Sequence, residues 1–139
     1  MLRNKQILVI DDTPSILSFL QVSLEVLGAK FYKAQTASYG LALCEQLHPD
    51  VVILDLGLPD KEGLNILPAL KRIQAHSPAH PPIVIVLTVR NEAKYYEMAM
   101  DMGADAYLTK PFNVEELIDL IQQKLGPPPT GHLKLVSNG

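Results

Sequence analysis

Two adjacent aspartates, Asp11 and Asp12, follow directly on the apolar run QILVI (6–10). A third, Asp55, closes VVILD (51–55); Thr88 closes IVIVLT (83–88); Lys110-Pro111 follows the weaker run DAYLT (105–109). Three carboxylates, a hydroxyl and an ammonium brought to one place could handle a phosphoryl group. Clustered carboxylates repel one another and need a cation or a proton to neutralise them. Hard oxygen ligands at that density suit Mg²⁺, with Mn²⁺ as a substitute, because the ion keeps some waters and recruits phosphate oxygens. An aspartate held beside such an ion can attack phosphorus and form an acyl phosphate. The transfer itself needs mostly positioning and charge stabilisation. Lys110 would offer positive charge to the phosphoryl oxygens and Thr88 a hydrogen-bond donor. Taken singly, these residues say little. One aspartate after a strand is commonly a helix cap, and a lone Thr or Lys there means nothing. Their joint placement carries the reading.

The elements that must position them follow from the hydrophobic pattern. Strands are expected at 6–10, 30–34 (KFYKA), 51–55, 83–88 and 105–109. Three of these runs are nearly continuous Val, Ile and Leu, as in strands buried on both faces of a parallel sheet. Helices are expected at about 14–27, 38–47, 63–75, 91–102 and 113–125. Pro14 suits a first turn, Gly28, Gly103 and Gly126 suit stops, His48-Pro49 ends the second helix, and Asn113 with Glu116 opens the fifth. Pro68 is read as lying near the start of the third helix, where a missing N–H costs less. Five βα units predict an α/β doubly wound five-stranded parallel sheet, flavodoxin-like in order 2-1-3-4-5, with five helices on two faces. Ligands bind such sheets at the carboxyl ends of the strands, where all the residues above fall.

Composition narrows the class. The 139 residues fit one domain, with 47% apolar residues to build its core. A net charge of −3 with 19% charged residues gives no footprint for direct nucleic-acid binding. The single cysteine, Cys44, forbids an intrachain disulfide and suits a reducing cytoplasm; its apolar helical setting predicts a buried side chain. No apolar stretch is long enough to span a bilayer, and no signal-peptide pattern opens the chain. HSPAHPP (76–82) reads as a Pro-rich loop, and residues 126–139 as a Pro-rich linker or tail of the kind that leads to an output domain. His48, His76, His80 and His132 suggest no zinc site.

The segments ILVIDD, VVILDLGLPDKEGL, VLT and GADAYLTKPF resemble the motifs of the receiver domain of two-component response regulators, over residues 5 to about 125. The resemblance implies a phosphorelay signalling domain rather than an enzyme acting on other molecules, with domain bounds near 1–125. It implies that Asp55 takes a phosphoryl group from a histidine kinase or histidine phosphotransfer protein. Asp12, Asp55 and the backbone carbonyl of Gly57 would bind Mg²⁺, with Asp11 holding metal-bound water or ligating directly. Lys110 would pair with the acceptor carboxylate and then with the phosphate, and the Lys110-Pro111 bond would be cis. Thr88 and Tyr107 would form the switch, acting on an output partner through the fourth helix, fifth strand and fifth helix.

The sequence departs from that pattern in places. Val89 replaces the usual small residue after Thr88 and is expected to slow both entry and loss of the phosphoryl group. Gly57 offers no side chain and leaves the site open. Glu62-Gly63 matches the usual acidic-Gly turn and is assigned a structural role. Regulators with an LDLGLPDKEGL motif commonly carry a winged-helix DNA-binding domain and dimerise through charged pairs. Here Ala106 and Leu120 occupy both halves of the expected pair, so an ionic dimer is not expected. Tyr95, Tyr96, Met98 and Met102 are candidates for a partner surface, half of them expected in the core. Two other functions compete: a pseudo-receiver that binds without being phosphorylated, and a Mg²⁺-dependent phosphohydrolase. The hydrolase chemistry usually needs an aspartate where Gly57 stands. A dinucleotide site fails because no G-x-G-x-x-G follows the first strand.

Overall fold

The computed structural model describes residues 2–73 and 81–126. Most of the expected Pro-rich loop, the tail beyond Gly126, and His76, His80 and His132 lie outside these residues. Five strands and five helices alternate: β1 (Gln6–Ile10), α1 (Pro14–Glu25), β2 (Lys30–Ala34), α2 (Ala37–Leu47), β3 (Val51–Leu54), α3 (Gly63–Arg72), β4 (Ile83–Thr88), α4 (Ala93–Asp101), β5 (Ala106–Thr109) and α5 (Val114–Leu125). The strands pair in parallel in the order β2-β1-β3-β4-β5. This is the expected doubly wound sheet.

The period-two alternation of each strand divides the core in two. Leu8, Ile10, Val52, Leu54, Val84 and Val86 face α2, α3 and α4, where they meet Cys44, Leu67, Leu70 and Ala99. Ile7, Val9, Val51, Ile53, Ile85 and Leu87 face α1 and α5, where they meet Leu20, Leu24, Leu117 and Ile121. All six residues of β4 are buried, which explains its unbroken apolar run. Edge strand β2 instead exposes Lys30 and Lys33, whose charges discourage pairing with another strand.

Helix ends follow local chemistry. Pro14 opens α1, Gly28 stops the chain after it at φ +95°, and the Asn113 side chain accepts the Glu115 N–H at 2.8 Å to cap α5. Asn113 is thus the expected cap of α5, and its bonded partner is the Glu115 N–H. One feature corrects the sequence reading. Pro68 is the sixth residue of ten-residue α3, well inside it, and removes the N–H that would bond the Leu64 carbonyl. Burial of Leu64, Ile66, Leu67 and Leu70 in the core offsets that loss. The cap of α2 is double. The Thr36 hydroxyl accepts the Tyr39 N–H at 3.1 Å, while the Asp60 carboxylate, from the β3–α3 loop, accepts the N–H groups of Ala37 and Ser38 at 2.8 and 2.9 Å. Those bonds hold the Asp60 carboxyl well below the usual carboxylate range.

Candidate functional site

Ladder contacts continue one residue past the strands and fix the site. Asp55 N–H donates to the Ile10 carbonyl at 2.9 Å, and Asp11 N–H to the Ala34 carbonyl at 3.0 Å. Asp55 therefore stands beside Asp11. On the other side, Thr88 is paired in register with Thr109, and Lys110 N–H donates to the Thr88 carbonyl at 2.7 Å. The Lys110-Pro111 peptide is cis. Behind Asp55, α3 begins in close contact with the acceptor strand. Gly63 N–H donates to the Leu56 carbonyl at 2.7 Å. A Cβ on Gly63 would stand 2.3 Å from the Asp55 carbonyl oxygen and 2.8 Å from Leu56 Cα. Glycine is required there by close approach of backbone to backbone.

Three carboxylates and one ammonium converge at this edge. Asp11, Asp12 and Asp55 bring carboxylate oxygens within 4.8 Å of one another. Asp11 and Asp55 are buried and Asp12 is exposed. The Lys110 ammonium bridges the two buried acids, donating to Asp11 Oδ2 at 2.7 Å and to Asp55 Oδ2 at 3.2 Å. Burial alone would push the Lys110 ammonium down. The hydrogen bond and charge of Asp11, then those of Asp55, outweigh it and raise its pKa. The two carboxylates are held differently. Asp11 also accepts the Thr13 N–H at 2.9 Å, so both its oxygens have short partners. Among the described residues, the second oxygen of Asp55 has only the Gly57 N–H at 3.3 Å. Both Asp55 contacts are long for charged hydrogen bonds, so this carboxylate is the freer of the two to take a new bond.

The residues fit a divalent cation. Three carboxylates against one ammonium leave a formal charge of −2, and every donor in the cluster is a hard oxygen. Thr88 is fully buried, and its Oγ1 accepts the Arg90 N–H at a long 3.4 Å. Tyr107 is half-buried and donates its hydroxyl to the Arg90 carbonyl at 2.7 Å. Burial pushes the Tyr107 phenol up, and its ring meets Tyr96 edge-on at 5.6 Å.

A family comparison decides what this cluster belongs to: the response regulator receiver domain matches residues 7–122. The chain is a member of that family. It is a phosphoacceptor signalling domain of two-component systems. It is 43% identical over 112 residues to the transcriptional regulatory protein KdpE of Mycobacterium tuberculosis, a match covering 81% of this chain and 47% of that protein. This receiver domain thus spans about half the length of the curated relatives it matches. Among solved structures, it resembles a CheY-like receiver domain protein from Methanospirillum hungatei with TM-score 0.78 and 32% identity, covering 88% of this chain and 94% of that one. It also resembles a Burkholderia pseudomallei response regulator solved with a phosphorylated aspartic acid, a calcium ion and citrate, at TM-score 0.78 and 30% identity over 87% of this chain and 68% of that one.

Sequence reasoning missed Arg90. Its guanidinium grips the Glu62 carboxylate with both amino groups, Nη2 reaching Oε2 at 3.0 Å, and its plane lies over the Tyr95 ring at 4.9 Å. Glu62, assigned a purely structural role, is therefore the ion partner of a residue beside the acceptor loop. No motif announces this pair, because its members lie 28 positions apart. Among the candidate surface residues, Tyr96 and Met98 are exposed, while Tyr95 and Met102 pack against the core. Ala106 is buried, and Leu120 packs against the α1–α5 side. Both positions of the expected ion pair thus face the core.

Proposed function

We propose that Asp55 accepts the phosphoryl group of a histidine kinase or histidine phosphotransfer protein. A carboxylate oxygen of Asp55 forms the new O–P bond as the P–N bond to the donor histidine breaks, and the departing imidazole nitrogen takes up a proton. The observation that carries this reading is the Lys110 ammonium bridging Asp11 and Asp55 at the carboxyl edge of the sheet. Mg²⁺, or Mn²⁺ in its place, would be held by Asp11, Asp12, Asp55 and the Gly57 carbonyl, and would neutralise the charge that collects on the phosphoryl oxygens. Lys110 orients the acceptor before transfer and holds a phosphoryl oxygen after it. Thr88 turns its hydroxyl proton toward the group, and Tyr107 follows, changing the face of α4, β5 and α5 that an output partner reads. That partner surface centres on Tyr96 and Met98, with no ionic dimer contact at Ala106 and Leu120.

The Burkholderia relative, with its phosphorylated aspartic acid and bound calcium, supports the same chemistry here. A phosphohydrolase cycle is disfavoured because Gly57 carries no acid, and a pseudo-receiver because every group needed for transfer is present. The domain works without contacting nucleic acid or membrane, in a reducing cytoplasm where buried Cys44, its thiol pushed up to about 12 by burial and then by Glu45, stays inert. Residues 126–139 serve as a linker or tail. Acetyl phosphate or beryllofluoride with Mg²⁺ tests the assignment: wild type should give a modified state that Asp55→Asn abolishes. A wild type without response, or an Asp55→Asn variant that still responds, would refute it.

A further inference from the structure

Arg90 holds more of the site together than any motif suggests. Its N–H meets Thr88 Oγ1, its carbonyl receives the Tyr107 hydroxyl, and its guanidinium joins Glu62 to the face of Tyr95. Four contacts thus connect the two switch side chains, the start of α3 and the start of α4 to one residue. The guanidinium also lies over the open side of the acceptor loop. A Cβ built on Gly57 would meet Arg90 Nη2 at 3.7 Å, an ordinary contact, so the cation occupies the space that a side chain two residues after Asp55 would share. The charge of Asp55 contributes to the raised pKa of Arg90, though less than its Glu62 partner does.

Consider the charges on either side of the guanidinium. Before transfer it faces a Glu62 carboxylate that is half-exposed, and a pair so open to water is worth little. A phosphoryl group on Asp55 brings additional negative charge and three strong acceptor oxygens. A planar guanidinium matches that group with parallel hydrogen bonds as well as it matches a carboxylate. The exchange of partners therefore costs only a weak surface ion pair.

We propose that Arg90 is a charge-driven latch, held by Glu62 in the unmodified domain and transferred to the phosphoryl group when Asp55 is modified. Transfer pulls the cation off the Tyr95 ring and so reports modification to α4 by a route separate from Thr88 and Tyr107. Arg90 is a second cationic reader of the phosphoryl group, beside Lys110, and Glu62 sets how readily it reads. The proposal rests on Asp55 being the acceptor.

Beryllofluoride titrations in Mg²⁺, followed by amide and arginine Nε–H NMR signals, test it on the whole chain. Glu62→Gln removes the competing charge and should tighten beryllofluoride binding roughly 1.5-fold to fivefold, the range expected for one solvent-exposed charged contact. Arg90→Gln should weaken binding by a similar factor. In the double variant the benefit of Glu62→Gln should vanish, because there is no latch left to release. In wild type the Arg90 Nε–H signal and the Tyr95 ring signals should shift together on saturation. An Arg90 signal that stays at its free position, or a Glu62→Gln gain that survives in the Arg90→Gln background, overturns the latch while leaving Asp55 as acceptor. No response in wild type overturns both.

Discussion

Substituting Gly63 by alanine tests whether the start of α3 is fixed against the acceptor strand. The added Cβ would stand 2.3 Å from the Asp55 carbonyl oxygen and 2.8 Å from Leu56 Cα, so the two chains must separate by at least ~0.7 Å even to reach 3.0 Å. The opposing atoms are backbone, and no rotamer change relieves them. Overpacking typically costs about 1–3 kcal/mol, and a rigid contact belongs at the upper end. Alanine returns about 0.5–1 kcal/mol through lower backbone entropy in the unfolded chain and better helix propensity. The net expectation is a loss of about 2 kcal/mol, a large fraction of the roughly 5–15 kcal/mol that holds a domain together. Gly57→Ala is the control. Its Cβ meets nothing closer than Arg90 Nη2 at 3.7 Å, and Gly57 is not among the glycines with positive φ. It should change stability by less than about 0.5 kcal/mol. Urea unfolding with an unchanged m-value is the assay, and Gly63→Ala should also weaken the beryllofluoride response by displacing the Asp55 backbone. A Gly63→Ala loss below about 0.5 kcal/mol, or one equal to that of Gly57→Ala, would refute the reasoning.

Three further outcomes are expected. The depressed pKa of Asp60 makes its contribution complete above the ordinary unfolded carboxylate value of about 4, and it fades progressively as pH falls from there toward the lower folded value. Urea midpoints measured from pH 6 down to pH 3 should thus slope less steeply in Asp60→Asn than in wild type; parallel curves would contradict this. Lys110→Met leaves Asp11 and Asp55 facing each other without their ammonium, and should cost about 1–3 kcal/mol in chelator, with part of the loss recovered in Mg²⁺. An equal loss with and without Mg²⁺ would count against the shared cation site. Val89 is 69% exposed beside Thr88, and Val89→Ala should speed both modification by acetyl phosphate and loss of the phosphoryl group, measured by phosphoprotein gel mobility over time; unchanged rates would dismiss the steric argument.

Much of the architecture was legible because it rests on local pattern. The unbroken Val and Ile of β3 and β4 announce strands covered on both faces, and the acids and the lysine stand at strand ends that pairing brings together. Pro68 was misplaced because the penalty of an internal proline is local, whereas the apolar face that outweighs it is a tertiary fact. Asp60 and Arg90 escaped notice for another reason. Asp60 caps a helix that starts 23 positions earlier, and Arg90 meets Glu62 across two loops; neither spacing belongs to a helix or a strand. What the sequence states through periodicity can be read from it, and what it states through loop closure needs the folded chain.

The division of the core by the sheet has a mechanical consequence. Tyr107 packs on the side of α2, α3 and α4, while its neighbours Ala106 and Leu108 pack on the side of α1 and α5. The sheet between them is a single layer of parallel ladders running from β2 to β5, with β5 at its edge. Repacking around Tyr107 therefore begins among α2, α3 and α4 and reaches α5 around the β5 edge of the sheet. Leu117 and Ile121, the buried residues of α5, thus anchor the output face from the side of the sheet opposite Tyr107, and the edge strand β5 is the hinge the two sides share.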